Sequence, residues 1–212
     1  RAGVVGGDRS GLPPHPGQGA VGAAVRARII QTFVVATDIV VSHYHGDHVP
    51  LADASPYQLP LDRITVRAGV LVWAKGPSGL SSLSLGRRQD LIRKGGWNMV
   101  PAEGTSRPNL SFSRPVPHGS TFSRIGDVMM TCIRDGDESL VHASDIQMLN
   151  RESVEQILEW KPDLVIASGP PLYLDRITGE DRRAAWKHAL EIAGRVGRSE
   201  EHTSELQSPN TI

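Results

Sequence analysis

A single cysteine, Cys132, stands among 212 residues, so no disulfide can close within the chain. Alone, it suits a reducing, cytoplasmic setting and a place as a small buried hydrophobe rather than a nucleophile. Long apolar runs are also missing. The longest, residues 20–25 and 33–41, fall well short of the ~20 residues that span a bilayer, and Asp38 interrupts the second. Charge of one sign is absent in net: Lys plus Arg and Asp plus Glu each number 23. No overall field therefore draws the chain to nucleic acid or a membrane surface, and no aromatic-basic interleaving suits a single strand. A small-molecule substrate is the expected partner, and nothing in the sequence sets an oligomeric state. Hydrophobic residues make up 39% and charged ones 22%, which excludes wholesale disorder and fibrous repeats. What is plentiful is glycine, 22, and proline, 15, an excess that favours turns and long loops over a helical bundle.

Periodicity places the elements. Residues 1–18, rich in Gly and Pro, read as loop, and helical spacing then runs over 19–32. A β-branched run at 38–42 predicts a buried strand that stops at His43, and a second strand is expected over 65–73. Between 77 and 110 only a short helix at 89–94 can be assigned. Residues 128–134 and 139–143 flank Asp135-Gly136-Asp137-Glu138, a hairpin signal. Asn150 suits the N-cap of a helix over 151–160, with Val154, Ile157 and Leu158 on one face. A buried strand at 163–167 ends at Gly169-Pro170-Pro171, and a last helix covers 180–196. Strands alternating with helices around a central hairpin predict a mixed α/β layered domain.

The chemistry concentrates at Ser42-His43-Tyr44-His45-Gly46-Asp47-His48, an H-x-H-x-D-H pattern directly after a predicted strand. Residues two apart on an extended segment point the same way, so His43 and His45 can reach one metal. Gly46 permits a tight turn that redirects Asp47 and His48 to a neighbouring point. Such a loop can serve two cations a few ångströms apart, as metal-assisted hydrolysis requires. Imidazole and carboxylate without thiolate favour zinc, with iron or manganese as competitors.

This motif resembles the hallmark of the metallo-β-lactamase-fold hydrolases, and further segments follow in that family's order. Pro117-His118-Gly119-Ser120 is similar to its third-histidine motif, and His142-Ala143-Ser144-Asp145 to its strand-end aspartate. The resemblance implies that His43, His45 and His118 hold one metal, that Asp47 and His48 hold a second, and that Asp145 bridges them. Two zinc ions (Zn2+) would be the cofactors, and Asp47 would also orient the attacking water. In more detail, residues 11–16, 42–48, 116–120, 142–150 and 162–174 resemble an uncharacterised, mainly archaeal branch of the superfamily. The likeness covers about residues 11–197 and is thinnest over 50–115. It implies one αββα sandwich domain over 1–197.

The implied activity is hydrolysis of an ester, thioester, lactone or phosphodiester by a hydroxide shared between the metals. An iron-dependent oxidoreductase on the same scaffold and an inactive truncated fragment are the rival readings; His45, where a Glu could stand, favours zinc. The family opens on a hairpin with an Asp-x-Gly turn, not found before Gly11, and adds a histidine after a strand beyond the last helix. A fragment lacking terminal strands at both ends is therefore expected. Residues 198–212 look like a translated sequencing adapter and are expected to form a disordered tail, which discounts His202. His188 falls inside the predicted last helix and is not assigned as the missing ligand. His15 reads as a surface loop residue, Tyr44 as packing or a rim contact. His142 either orients a ligand or is simply a strand histidine.

Overall fold

The computed structural model describes residues 15–119, 126–170, 172, 177–196 and 198–201. The chain divides into two compact units, Arg1–Pro101 and Ala102–Ile212. Both are mixed α/β, the class the sequence implies.

In the first unit, helix α1 (Pro16–Val35) extends three residues past the expected range at each end. Its start is set by capping groups that carry no apolar period. The His15 side chain accepts from the Gly17 N–H at 3.1 Å, and Gln18 Oε1 accepts from the His15 N–H at 3.2 Å. Pro16 fits the first turn because its missing N–H would have no intrahelical partner there. Ile29, Ile30 and Phe33 face the unit's core, where the Phe33 and Trp97 rings lie 5.7 Å apart.

Strands β1 (Asp38–Val41), β2 (Leu71–Ala74) and β3 (Met99–Pro101) form a parallel sheet in that order. The run expected to be wholly buried in β1 instead alternates: Ile39 and Val41 point inward, while Val40 is 37% exposed. Strand β2 begins at Leu71, six residues later than expected. Gly69, at φ 85°, turns the chain first, and the Val70 N–H bonds the Arg67 carbonyl across that turn. The short helix expected at 89–94 is the end of a longer one, α2 (Ser82–Arg93), capped by Ser81. Its only buried residue is Leu91, so apolar spacing gave little sign of the first two turns. Val41 pairs with Ala74, and the chain after Val41 leaves at the carboxyl edge of the sheet. That edge is where open parallel sheets carry their functional groups.

The second unit holds a five-stranded mixed sheet. Its strands are β4 (Leu110–Phe112), β7 (Thr131–Asp135), β8 (Glu138–Ser144), β9 (Leu164–Ala167) and β10 (Arg198–Glu201), ordered β10-β9-β8-β7-β4. Short strands β5 (Val116–Pro117) and β6 (Asp127–Val128) pair separately. The expected hairpin joins β7 to β8, with Gly136 at φ 58° in its two-residue loop. Helix α3 (Arg151–Trp160) has the expected bounds, and Asn150 Oδ1 accepts from the Glu152 N–H at 2.8 Å. Val141 and Ala143 of β8 and Val165 and Ala167 of β9 form the core with α3 and α4 (Gly179–Arg195). Cys132 is buried there, as its solitude suggested, and burial pushes its thiol pKa up.

Arg198–Glu201, expected to open a disordered tail, instead run as β10 in parallel with β9. A sheet edge offers backbone donors and acceptors to any extended segment, whatever its side chains. The rest of that expected tail, 202–212, lies outside the described residues, as do 11–14, Ser120, Pro171 and 173–174 of the quoted motifs. Among the described residues, no helix is long and apolar enough to cross a membrane.

Candidate functional site

The first unit gathers three histidines, His43, His45 and His48, immediately beyond β1. His43 is 3% exposed, and its Nδ1 lies 3.1 Å from the Ser42 hydroxyl. The chain then turns: the N–H groups of His48 and Val49 both bond the His45 carbonyl, at 2.9 and 3.2 Å. This turn folds His48 back over His43, with ring centroids 4.1 Å apart, while the His45 ring stands edge-on to His43 at 4.6 Å. Three imidazoles thus share one small volume. Asp47 Oδ2 lies 3.4 Å from His48 Nε2, with the Asp47 side chain 33% exposed. The four residues the H-x-H-x-D-H pattern singles out therefore form a local group.

Gly46 serves this turn differently from its expected role. It lacks a left-handed φ; what matters is space. A Cβ there would stand 3.2 Å from both Gln58 Nε2 and Leu51 Cδ1 and 3.3 Å from an Arg87 guanidinium nitrogen. Arg87, reaching from α2, donates to the Tyr44 carbonyl at 3.0 Å and so holds the backbone between His43 and His45. The Tyr44 ring is buried, and its hydroxyl donates to the Lys75 carbonyl, which makes it a packing residue. Arg87 was not foreseen, because its helix carries little apolar signal and lies far along the sequence.

The second unit supplies a pair of its own, His118 and Asp145. His118 follows β5, and its N–H bonds the Gly126 carbonyl at 3.0 Å. Asp145 follows β8, at the point where the β8–β9 register shifts between His142 and Ser144. His118 Nε2 and Asp145 Oδ2 are 2.9 Å apart, with side chains only 5% and 10% exposed. The segment carrying Asp145 is strained: Ser144, Gln147 and Met148 all have φ between 54° and 58° without being glycine. Such conformations persist only where surrounding structure enforces them, and they cluster at functional sites.

The remaining histidines sort clearly. His15 is the exposed cap of α1, and His188 lies within α4 as expected, its Nδ1 2.8 Å from the Met148 carbonyl. His142 is half-buried on β8, on the face opposite Val141 and Ala143.

No family model matches the chain. Among solved structures, it is similar to a metal-dependent hydrolase of the β-lactamase superfamily at 11% identity and a TM-score of 0.49, covering 85% of this chain and 84% of that one. A mutant of the CmlA β-hydroxylase gives 22% identity and 0.46, covering 78% and 36%. Sequence relatives are much nearer. A UPF0282 protein of Methanosarcina mazei is 46% identical over 189 residues, which is 89% of this chain and 62% of the relative. One of Thermococcus onnurineus is 37% identical over 208 residues, or 92% and 68%. The chain spans about two thirds of the length of these curated relatives. Kinship of that extent means that the chain belongs to the UPF0282 family.

Proposed function

We propose that the chain is the metal-binding part of a hydrolase, in which His43, His45, Asp47, His48, His118 and Asp145 together hold two divalent cations. The observation that carries it is the packing of the His45 and His48 rings against the His43 ring, at 4.6 and 4.1 Å, at a strand end. Neutral imidazoles gain little from such crowding as structural groups, whereas a cation uses each nitrogen. The donor set fits a zinc-type ion: nitrogens and carboxylate oxygens, with the lone cysteine, Cys132, buried in β7.

Bound cations would polarise a substrate oxygen and make water nucleophilic near neutral pH. The chain's own residues set the geometry. His43, locked by Ser42 and by the Arg87-anchored backbone, presents its ring in one orientation. His118 and Asp145, paired at 2.9 Å, enter already oriented toward each other. Asp47, the most exposed of the acidic donors, would orient the attacking water and accept its proton at a carboxylate oxygen. Esters, thioesters, lactones and phosphodiesters are the substrate classes open to this chemistry.

The test is elemental analysis of the chain purified without chelator, followed by chromogenic esters and phosphodiesters. Zinc near two equivalents per chain is expected, falling with His43→Ala. Iron with visible absorbance would instead favour oxidoreductase chemistry. A chain that takes up no transition metal from excess added ion would end the proposal.

A further inference from the structure

We infer that His188 is a positioning residue: it latches the turn that presents Asp145. The inference rests on the metal-site reading above for its functional meaning, but its structural basis is independent. Asp145 lies in a segment with three non-glycine residues of left-handed φ, Ser144, Gln147 and Met148. Left-handed backbone crowds any residue that carries a Cβ, so the turn would relax unless tied down.

The ties are visible at three places. At its start, the Ser144 carbonyl accepts from the Ser168 N–H at 3.1 Å, beyond the end of β9. At its far end, Asn150 is committed to capping α3. Between them, at the second of two consecutive left-handed residues, the Met148 carbonyl meets His188 Nδ1 at 2.8 Å. A carbonyl only accepts, so Nδ1 must carry the proton and donate. His188 reaches this point from α4, an element forty residues away in sequence that is anchored in the core through Ala185 and Ile192. The bond therefore fastens a strained turn to a rigid helix. Removing a partner hydrogen-bonded directly to a ligand commonly costs ten- to hundredfold in metal affinity, and His188 acts one step further out, through the backbone that carries Asp145, so the low end applies.

The experiment compares wild type, His188→Leu and His188→Asn. Leucine keeps bulk and loses the donor, whereas the Asn amide nitrogen stands close to where Nδ1 stood. Zinc affinity is measured by competition with a chromophoric chelator, and amide exchange over residues 144–150 is measured in the metal-free proteins. The expected result is faster exchange and about tenfold weaker zinc binding in His188→Leu, with both restored in His188→Asn. Exchange and affinity unchanged in His188→Leu would overturn the latch, and so would failure of His188→Asn to restore them. If wild type itself binds no zinc, the metal-site proposal fails. The latch is then decided by the exchange data alone.

Discussion

His118 Nε2 and Asp145 Oδ2, contributed by segments following two different strands, stand 2.9 Å apart with little access to water. A contact of this kind holds each side chain where the other needs it, and its loss should be felt twice. Asp145→Ala removes the carboxylate that faces a buried imidazole, at a cost of about 1–3 kcal/mol in the metal-free protein. Urea denaturation should show that loss without collapse of the fold, and elemental analysis should show metal content falling by at least half. Unchanged metal content would separate the pair from the proposed site.

The turn after β1 predicts a graded response at its tightest point. The side-chain ends of Gln58, Leu51 and Arg87 surround Gly46, so an added methyl group displaces flexible groups by a few tenths of an ångström. Gly46→Ala should fold with a small penalty, whereas Gly46→Val overpacks the turn by about 1–3 kcal/mol. Arg87→Met should cost about 1 kcal/mol through its lost bond to the Tyr44 carbonyl, and should weaken zinc uptake without abolishing it. Thermal melts in the presence and absence of zinc read both effects. Stabilisation by zinc that is undiminished in Arg87→Met would show that the ligands orient without it.

Acid should loosen the second unit through a carboxylate that is not part of the candidate site. Asp163 accepts from the Ser139 hydroxyl and N–H, at 2.9 and 2.7 Å, and these bonds hold its pKa below the ordinary value. A lowered folded pKa means stability that is fully present above the unfolded value, ~3.9, and is lost as pH falls through the folded one. Asp181, bonded by Thr178 at the start of α4, works with the same sign. The melting temperature should therefore decline on acidification below about pH 5. Asp163→Asn should lower it at neutral pH yet flatten that decline. A parallel decline in the variant would remove Asp163 from the account.

Much of this was legible in the residues themselves, for reasons that differ by element. Helix α3 was readable because its cap, Asn150, and its apolar face, Val154 and Ile157, agree on one answer. The β7–β8 hairpin was readable because a two-residue loop with glycine leaves few alternatives. Helix α2 was mostly hidden, since it buries a single residue and is held by its cap. The grouping of His43, His45 and His48 follows from short sequence separation plus a strand end. Arg87 and His188 could not be read this way. Each acts on a backbone carbonyl of a distant turn, and carbonyls leave no mark in a sequence.

Cys132 gives a probe of the core that lies outside the candidate site. It sits on β7 opposite Val141, fully buried, and burial raises its pKa more than nearby Arg134 lowers it. A thiol that is both uncharged and enclosed reacts only when the strand opens. At about pH 8 a disulfide-exchange reagent should therefore label the native protein slowly, at a rate set by opening, and label it at once in denaturing urea. Zinc should slow labelling of wild type, because an ion bound only to the folded state reduces the open population. In Asp145→Ala the same addition should slow labelling less than in wild type. Prompt stoichiometric labelling of the native chain would mean that β7 is not the enclosed strand described above.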